Sequence, residues 1–236
     1  NNVQGASDSG LIPMMYPNYQ RVDNPGARAR FAKLWDAPEL DPKPGLTVVE
    51  IMHAAMNKEI RGMYVMGENP AMSDPDVDHA REALAALDHL VVQDIFLTET
   101  AYLADVVLPA TAWPEKDGTV TNTDRMVQLG RKAIEPPGEA KEDLWIIQEI
   151  AKRMGLPWNY GHVSEVFAEM RAGMDTIAGI TWERLARDSA VTYPCVEEGD
   201  PGESVVFTEH FPTATGRARF VPADLISADE QPDANY

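Results

Sequence analysis

Between residues 61 and 109 three short apolar runs, GMYVM, LVVQ and DVVLP, are separated by two polar segments of helix length. Short apolar runs bounded by turn signals read as buried strands. In the first gap Ser73, Asp74 and Pro75 predict a helix start, with Val77, Ala80, Leu84 and Leu87 following on one face. The second gap, TETAYLA, reads as a short helix. Strand–helix–strand–helix–strand with short links requires right-handed crossovers and parallel pairing. The predicted fold class is therefore α/β: a short, mostly parallel sheet flanked by helices, with loop-rich termini.

Around this unit the patterning is weaker. Residues 1–25, rich in Gly, Pro, Asn and Tyr, read as an irregular N-terminal segment. An α/β domain is predicted over 26–222 and a linker over 223–236. Within the domain, residues 26–35 have helical character, and Thr47 and Glu50 form a capping box before the amphipathic stretch containing Ile51, Met52, Ala55 and Met56. TVTNTDRMVQL alternates well enough for strands or an extended excursion. Further helices are predicted over 143–154, 164–172 and 181–189, and strands at SVVFTEHF and GRARFVP.

Charge and cysteine usage narrow the function. The 236 residues carry 38 acidic and 20 basic side chains, a net charge of −18, which argues against binding a nucleic acid backbone or an anionic membrane surface. No apolar run approaches the roughly 20 residues that span a bilayer, and the first residues carry no targeting pattern. Cytoplasmic localisation is the expectation. One cysteine, Cys195, leaves no internal disulfide, and it lacks a neighbouring base, so it reads as a buried inert thiol. The five histidines are scattered without metal-ligand spacing. The Ser/Asp pair of GASDSG has no histidine near it in sequence. No catalytic constellation is visible, and no metal site is predicted.

In open α/β sheets, ligands bind beyond the carboxyl ends of the strands. Three polar pairs fall there: Glu68-Asn69, Gln93-Asp94 and Ala110-Thr111. Asp94 reads equally well as a cap for the following helix or as a ligand contact. Neither the GxGxxG nor the GxxxxGK[ST] pattern is present, so phosphates would have to rely on backbone N–H groups. Asp94 or Asp143 can accept two hydrogen bonds from a ribose diol or from the N1–H and amino edge of guanine.

The stretches GENPAMSD, VVQDIFLTETAYLADVVLPATAWPEKDGTVTNTDRMVQ and EDLWIIQEIAKRMG resemble the molybdenum/tungsten oxidoreductases that carry two pyranopterin guanine dinucleotides. NNVQGASDSGLIPMMYPNYQ and FAKLW are similar to the catalytic (alpha) subunit of formate dehydrogenase within that group. The resemblance implies that the chain is an internal piece of such a subunit, its third domain, closing over one guanine dinucleotide. Matching motif positions then imply cofactor contacts at Asn69, Ser73, Gln93, Asp94, Ala110 and Asp143, with backbone from Ile95. At Ala110 the family often has Ser, which removes a hydroxyl contact; at Asn69 Asp is common, so a charge is lost.

The same resemblance implies that the metal ligand, the substrate-assisting arginine and the iron–sulfur ligands lie outside this chain. Residues 1–25 would pack on an upstream domain, and residues 223–236 would lead toward a C-terminal β-barrel. Implied partners are the remaining domains of the subunit and electron-transfer subunits, and any iron–sulfur cluster or NAD would enter only through them. The reaction implied is reversible oxidation of formate to carbon dioxide, with the chain inactive alone. Two other readings stay open: the same domain of an assimilatory nitrate reductase or another family member, and an independent nucleotide-binding or partner-docking module without a redox role.

Overall fold

The structure, a computed structural model, describes residues 2–225. The chain divides into two compact units, Asn1–Ser204 and Val205–Tyr236. The first unit takes in the N-terminal segment and ends at Ser204. Residues 226–236 of the predicted linker lie outside the described residues.

The predicted parallel sheet forms with strands β3 (Gly62–Met66), β4 (His89–Asp94) and β5 (Val106–Pro109) in that order. Its register pairs Met66 with Gln93, Gln93 with Leu108 and Asp94 with Pro109, so the three carboxyl ends lie side by side. Helices α3 (Val48–Met56) and α5 (Val77–Ala85) cover one face. Met52, Ala55, Ala80, Ala83 and Leu84 pack there against Val65, Leu90 and Val92 in one core cluster. Burying a side chain such as Leu84 or Leu90 contributes about 1.5–3 kcal/mol. Alternation puts Tyr64, Val91 and Gln93 on the opposite face.

Two helix boundaries differ from the sequence reading. Ser73 does not open α5; it closes a four-residue helix, α4 (Pro70–Ser73). Asp74 precedes Pro75, whose ring disfavours helical backbone before it, and Asp74 is extended. Asp76 caps α5 instead, its carboxylate accepting from the His79 amide at 3.1 Å. TETAYLA yields only a single 3-10 turn, Ala101–Leu103, so no macrodipole develops after β4.

A second sheet stands beside the parallel one. Strands β6 (Gly118–Thr121), β7 (Met126–Gly130) and β8 (Ala190–Thr192) form an antiparallel sheet. Three helices accompany it: α6 (Asp143–Arg153), α7 (Val163–Gly173) and α8 (Trp182–Asp188). Val127, Phe167, Ile177, Ile180, Leu185, Val191 and Cys195 make its core.

Residues 2–25, within the segment read as irregular, are ordered. It forms helix α1 (Val3–Asp8) and a hairpin of β1 (Met15–Tyr16) and β2 (Gln20–Arg21). Tyr16 stacks on Phe31 of α2 (Pro25–Leu34) at 4.9 Å between ring centroids. Apolar periodicity misses this segment because polar bonds and ring stacking order it. In Val205–Tyr236, SVVFTEHF and GRARFVP form no strands among the described residues. Val205, Phe220 and Val221 are exposed there, so neither run has a face to bury.

Candidate functional site

Gln93 is fully buried at the carboxyl end of β4. An amide so placed must satisfy both ends, and it does. Its carbonyl accepts from the Tyr64 hydroxyl, and its Nε2 donates to Asp143 Oδ1 at 2.6 Å. The other oxygen of Asp143 is ion-paired with Lys116, whose ammonium also donates to the Thr111 carbonyl at 2.9 Å. The chain Tyr64–Gln93–Asp143–Lys116–Thr111 thus ties β3, β4, the segment after β5 and the start of α6 together. Burial, reinforced by the Asp143 charge, raises the Tyr64 hydroxyl pKa and keeps it a donor.

Beside this network lies a cleft of about 650 Å³. Its walls come from α1, the turn after β3 (Met66, Gly67, Glu68), the approach to β6 (Lys116, Asp117, Gly118) and the start of α6 (Glu142, Asp143). Gly67 has φ +65°, and no atom lies within 4 Å of where a Cβ would sit at Gly67 or Gly118, so the backbone is bare to the cleft at both points. Four of these wall residues are carboxylates and one, Lys116, is a cation. Such a wall attracts hydrogen-bond donors, not bare phosphate.

Of the seven residues taken from the motifs, only Asp143 lines the cleft, and Gln93 stands directly behind it. Asn69 closes a local lock: its Nδ2 donates to Glu99 at 2.7 Å, and its Oδ1 accepts from the Thr100 amide at 3.1 Å and hydroxyl at 2.8 Å. The Asn69 hydrogen bond is the main reason the Glu99 carboxyl pKa is lowered. Ser73 donates to the Asn69 carbonyl at 3.1 Å. Asp94 accepts from the amides of Ile95 (2.6 Å) and Phe96 (3.3 Å), capping its own turn and no helix, while Ile95 is exposed. Ala110 is buried and continues the sheet edge, its amide donating to the Asp94 carbonyl at 3.0 Å.

Sequence reasoning missed Lys116 and Tyr64. Only the strand-end alternation that puts Tyr64 and Gln93 on one face hinted at the second. Thr111, next to Ala110, is buried with its hydroxyl unpartnered among the described residues. The acceptor-rich wall and the two bare glycines leave the cleft open to a ligand that brings hydrogen-bond donors. Cys195 is fully buried against Arg184, with Sγ 3.2 Å from Nη1, and burial pushes its thiol pKa up.

Comparison with known proteins agrees with this architecture. The family model described as molybdopterin oxidoreductase matches residues 3–153, which hold all seven motif residues and the network. The F420-dependent formate dehydrogenase subunit alpha of Methanocaldococcus jannaschii is 47% identical over 238 residues, the match covering 100% of this chain and 35% of that protein. Formate dehydrogenase H of Escherichia coli is 40% identical, over 96% of this chain and 32% of its own length. The structure of acetylene hydratase from Pelobacter acetylenicus aligns with a TM-score of 0.51 and 26% identity over 61% of this chain and 20% of that one. The chain spans about a third of the length of the curated relatives it matches. With the parallel sheet, the polar strand ends and the family match in agreement, the chain belongs to the molybdopterin oxidoreductase family.

Proposed function

We propose that the chain grips one guanine dinucleotide of a molybdenum or tungsten bis-pyranopterin cofactor within a formate dehydrogenase catalytic subunit. The observation that carries this reading is the fully buried Gln93, locked between Tyr64 and Asp143 at the wall of the cleft. Buried polar chains of this kind are costly unless every member is satisfied, and they fix one geometry when they are. Here the fixed group is the Asp143 carboxylate, presented to the cleft with lone pairs left for N–H or O–H donors. Asn69, Ser73, Asp94, Ile95 and Ala110 shape the strand-end rim in the same reading. The bound group supplies the redox metal at which formate is oxidised to carbon dioxide, releasing a proton and two electrons.

Electrons would leave through iron–sulfur centres in other regions or subunits of a cytoplasmic enzyme. Three relatives are named F420-dependent, which makes F420 an acceptor to test beside NAD. The site itself is tested by titrating the chain with guanosine and adenosine diphosphates. Guanosine diphosphate should bind in preference, and Asp143→Asn should weaken it by about tenfold or more, the effect of one mismatched hydrogen bond to a charged group. Equal affinity for the two nucleotides, or no effect of Asp143→Asn, would count against the reading.

A further inference from the structure

Asp8, from the GASDSG motif, is buried at the end of α1 and receives only neutral donors. Gln4 Nε2 donates to its Oδ1 at 2.8 Å and the Tyr19 hydroxyl at 2.9 Å, while the Tyr193 hydroxyl donates to Oδ2 at 2.8 Å. A carboxylate is tolerated out of water only where hydrogen bonds replace its hydration, so these three contacts are obligatory for the arrangement. They come from three places: α1 itself, the hairpin turn between β1 and β2, and the residue after β8. The turn adopts left-handed backbone at two successive non-glycine residues, Asn18 (φ 61°) and Tyr19 (φ 57°). Such strain persists only where the surroundings over-determine it. Tyr193 belongs to the core of the antiparallel sheet, and burial, with Asp8 next, raises its pKa so that it stays a donor.

The same α1 is a wall of the cleft, to which it contributes Val3, Gly5, Ala6 and Ser7. A six-residue helix has no stability of its own in water. At its other end Asn2 accepts from the Thr121 amide of β6 at 3.0 Å, so the helix is pinned at both ends. We infer that Asp8, through Tyr19 and Tyr193, is a positioning residue: it latches α1 in place as the cleft wall and makes ligand affinity there depend on the contact with Tyr193, the residue after β8. The latch touches no ligand. The affinity part rests on the reading that the cleft takes a guanine nucleotide; the α1 part does not.

Native-state hydrogen exchange and guanosine diphosphate titration on the full chain test it, with Tyr193→Phe, which keeps the ring in the core, and Asp8→Ala. The Ser9 and Leu11 amides, bonded to Gly5 and Ala6 carbonyls at 3.1 and 3.0 Å, should exchange about tenfold or more faster in Tyr193→Phe, which removes both the bond to Asp8 and the longer one the hydroxyl accepts from Gln4 at 3.3 Å. The Val92 and Gln93 amides should be unchanged, and nucleotide affinity should fall by a similar factor. Equal acceleration at all amides would mean ordinary destabilisation and overturn the inference, as would unchanged Ser9 and Leu11. If Asp8→Ala does not fold, Tyr193→Phe decides. If the wild-type chain binds no guanosine diphosphate, the nucleotide reading and the affinity part fail, and exchange at α1 judges the latch.

Discussion

At the scale of single residues, side chains already occupied within the chain must be separated from those free to meet a ligand. Asp94 illustrates this. Its Oδ1 is bonded to the Ile95 and Phe96 amides, a duty that an asparagine carbonyl performs as well, which leaves Oδ2 for another donor. Asp94→Asn should therefore leave the thermal stability of the chain within about 0.5 kcal/mol, as a surface change that keeps its acceptor does. On the proposed reading, the same change in the intact enzyme should deplete pterin and metal by roughly tenfold to hundredfold, an amide donor then replacing an acceptor meant for ribose or guanine donors. Metal and pterin analysis beside a melting curve checks both halves. Full cofactor content with a lowered melting temperature would reduce Asp94 to a turn cap.

At the scale of elements, the molecule is held by contacts between segments far apart in sequence. Arg30 of α2 makes a forked pair with Asp175 in the turn after α7, at 3.0 and 2.7 Å. The Arg30 hydrogen bond is the chief cause of a lowered Asp175 carboxyl pKa, against a smaller opposing effect of burial. A depressed folded pKa means stabilisation that is full above the unfolded value, near 3.9, and is lost as pH falls through the folded one. Asp175 is largely exposed, so solvent screening holds the pair to about 0.2–1 kcal/mol. Asp175→Asn should accordingly lower stability slightly at pH 7 and by progressively less as pH falls below about 3.9. Denaturant midpoints for both proteins across that range give the answer, and a difference that survives at low pH would show that the pair is not the cause.

At the scale of the whole molecule, the chain matches its relatives end to end but spans about a third of their length. Among the described residues no cluster of three or more His, Cys, Asp or Glu side chains is placed to hold a metal, and the single thiol is buried. On the proposed reading, which puts the metal ligand and the substrate-assisting arginine in other regions, the purified chain should show no formate oxidation with artificial electron acceptors, because a missing catalytic constellation forfeits most of the rate acceleration. Formate-dependent dye reduction by the chain alone would overturn the assignment of chemistry to other regions. No helix among the described residues is long and apolar enough to cross a membrane. From sequence alone the parallel unit was legible strand by strand, because GMYVM, LVVQ and DVVLP each carry their own apolar run and turn signals. So were α6, α7 and α8, whose apolar spacing is local. The motifs also located the strand-end residues Gln93 and Asp94. Tertiary structure alone decided what these residues do: that Gln93 bridges Tyr64 to Asp143, that Lys116 compensates Asp143, and that Asn69 is spent on Glu99 and Thr100. It also decided β8, three residues too short to show a period, and the order of residues 2–25, whose hydrogen-bond partner Tyr193 lies 185 positions from Asp8. The division has one physical cause. Hydrophobic periodicity is written in neighbours along the chain, whereas a polar group is satisfied by whichever partner folding brings within about 3 Å of it.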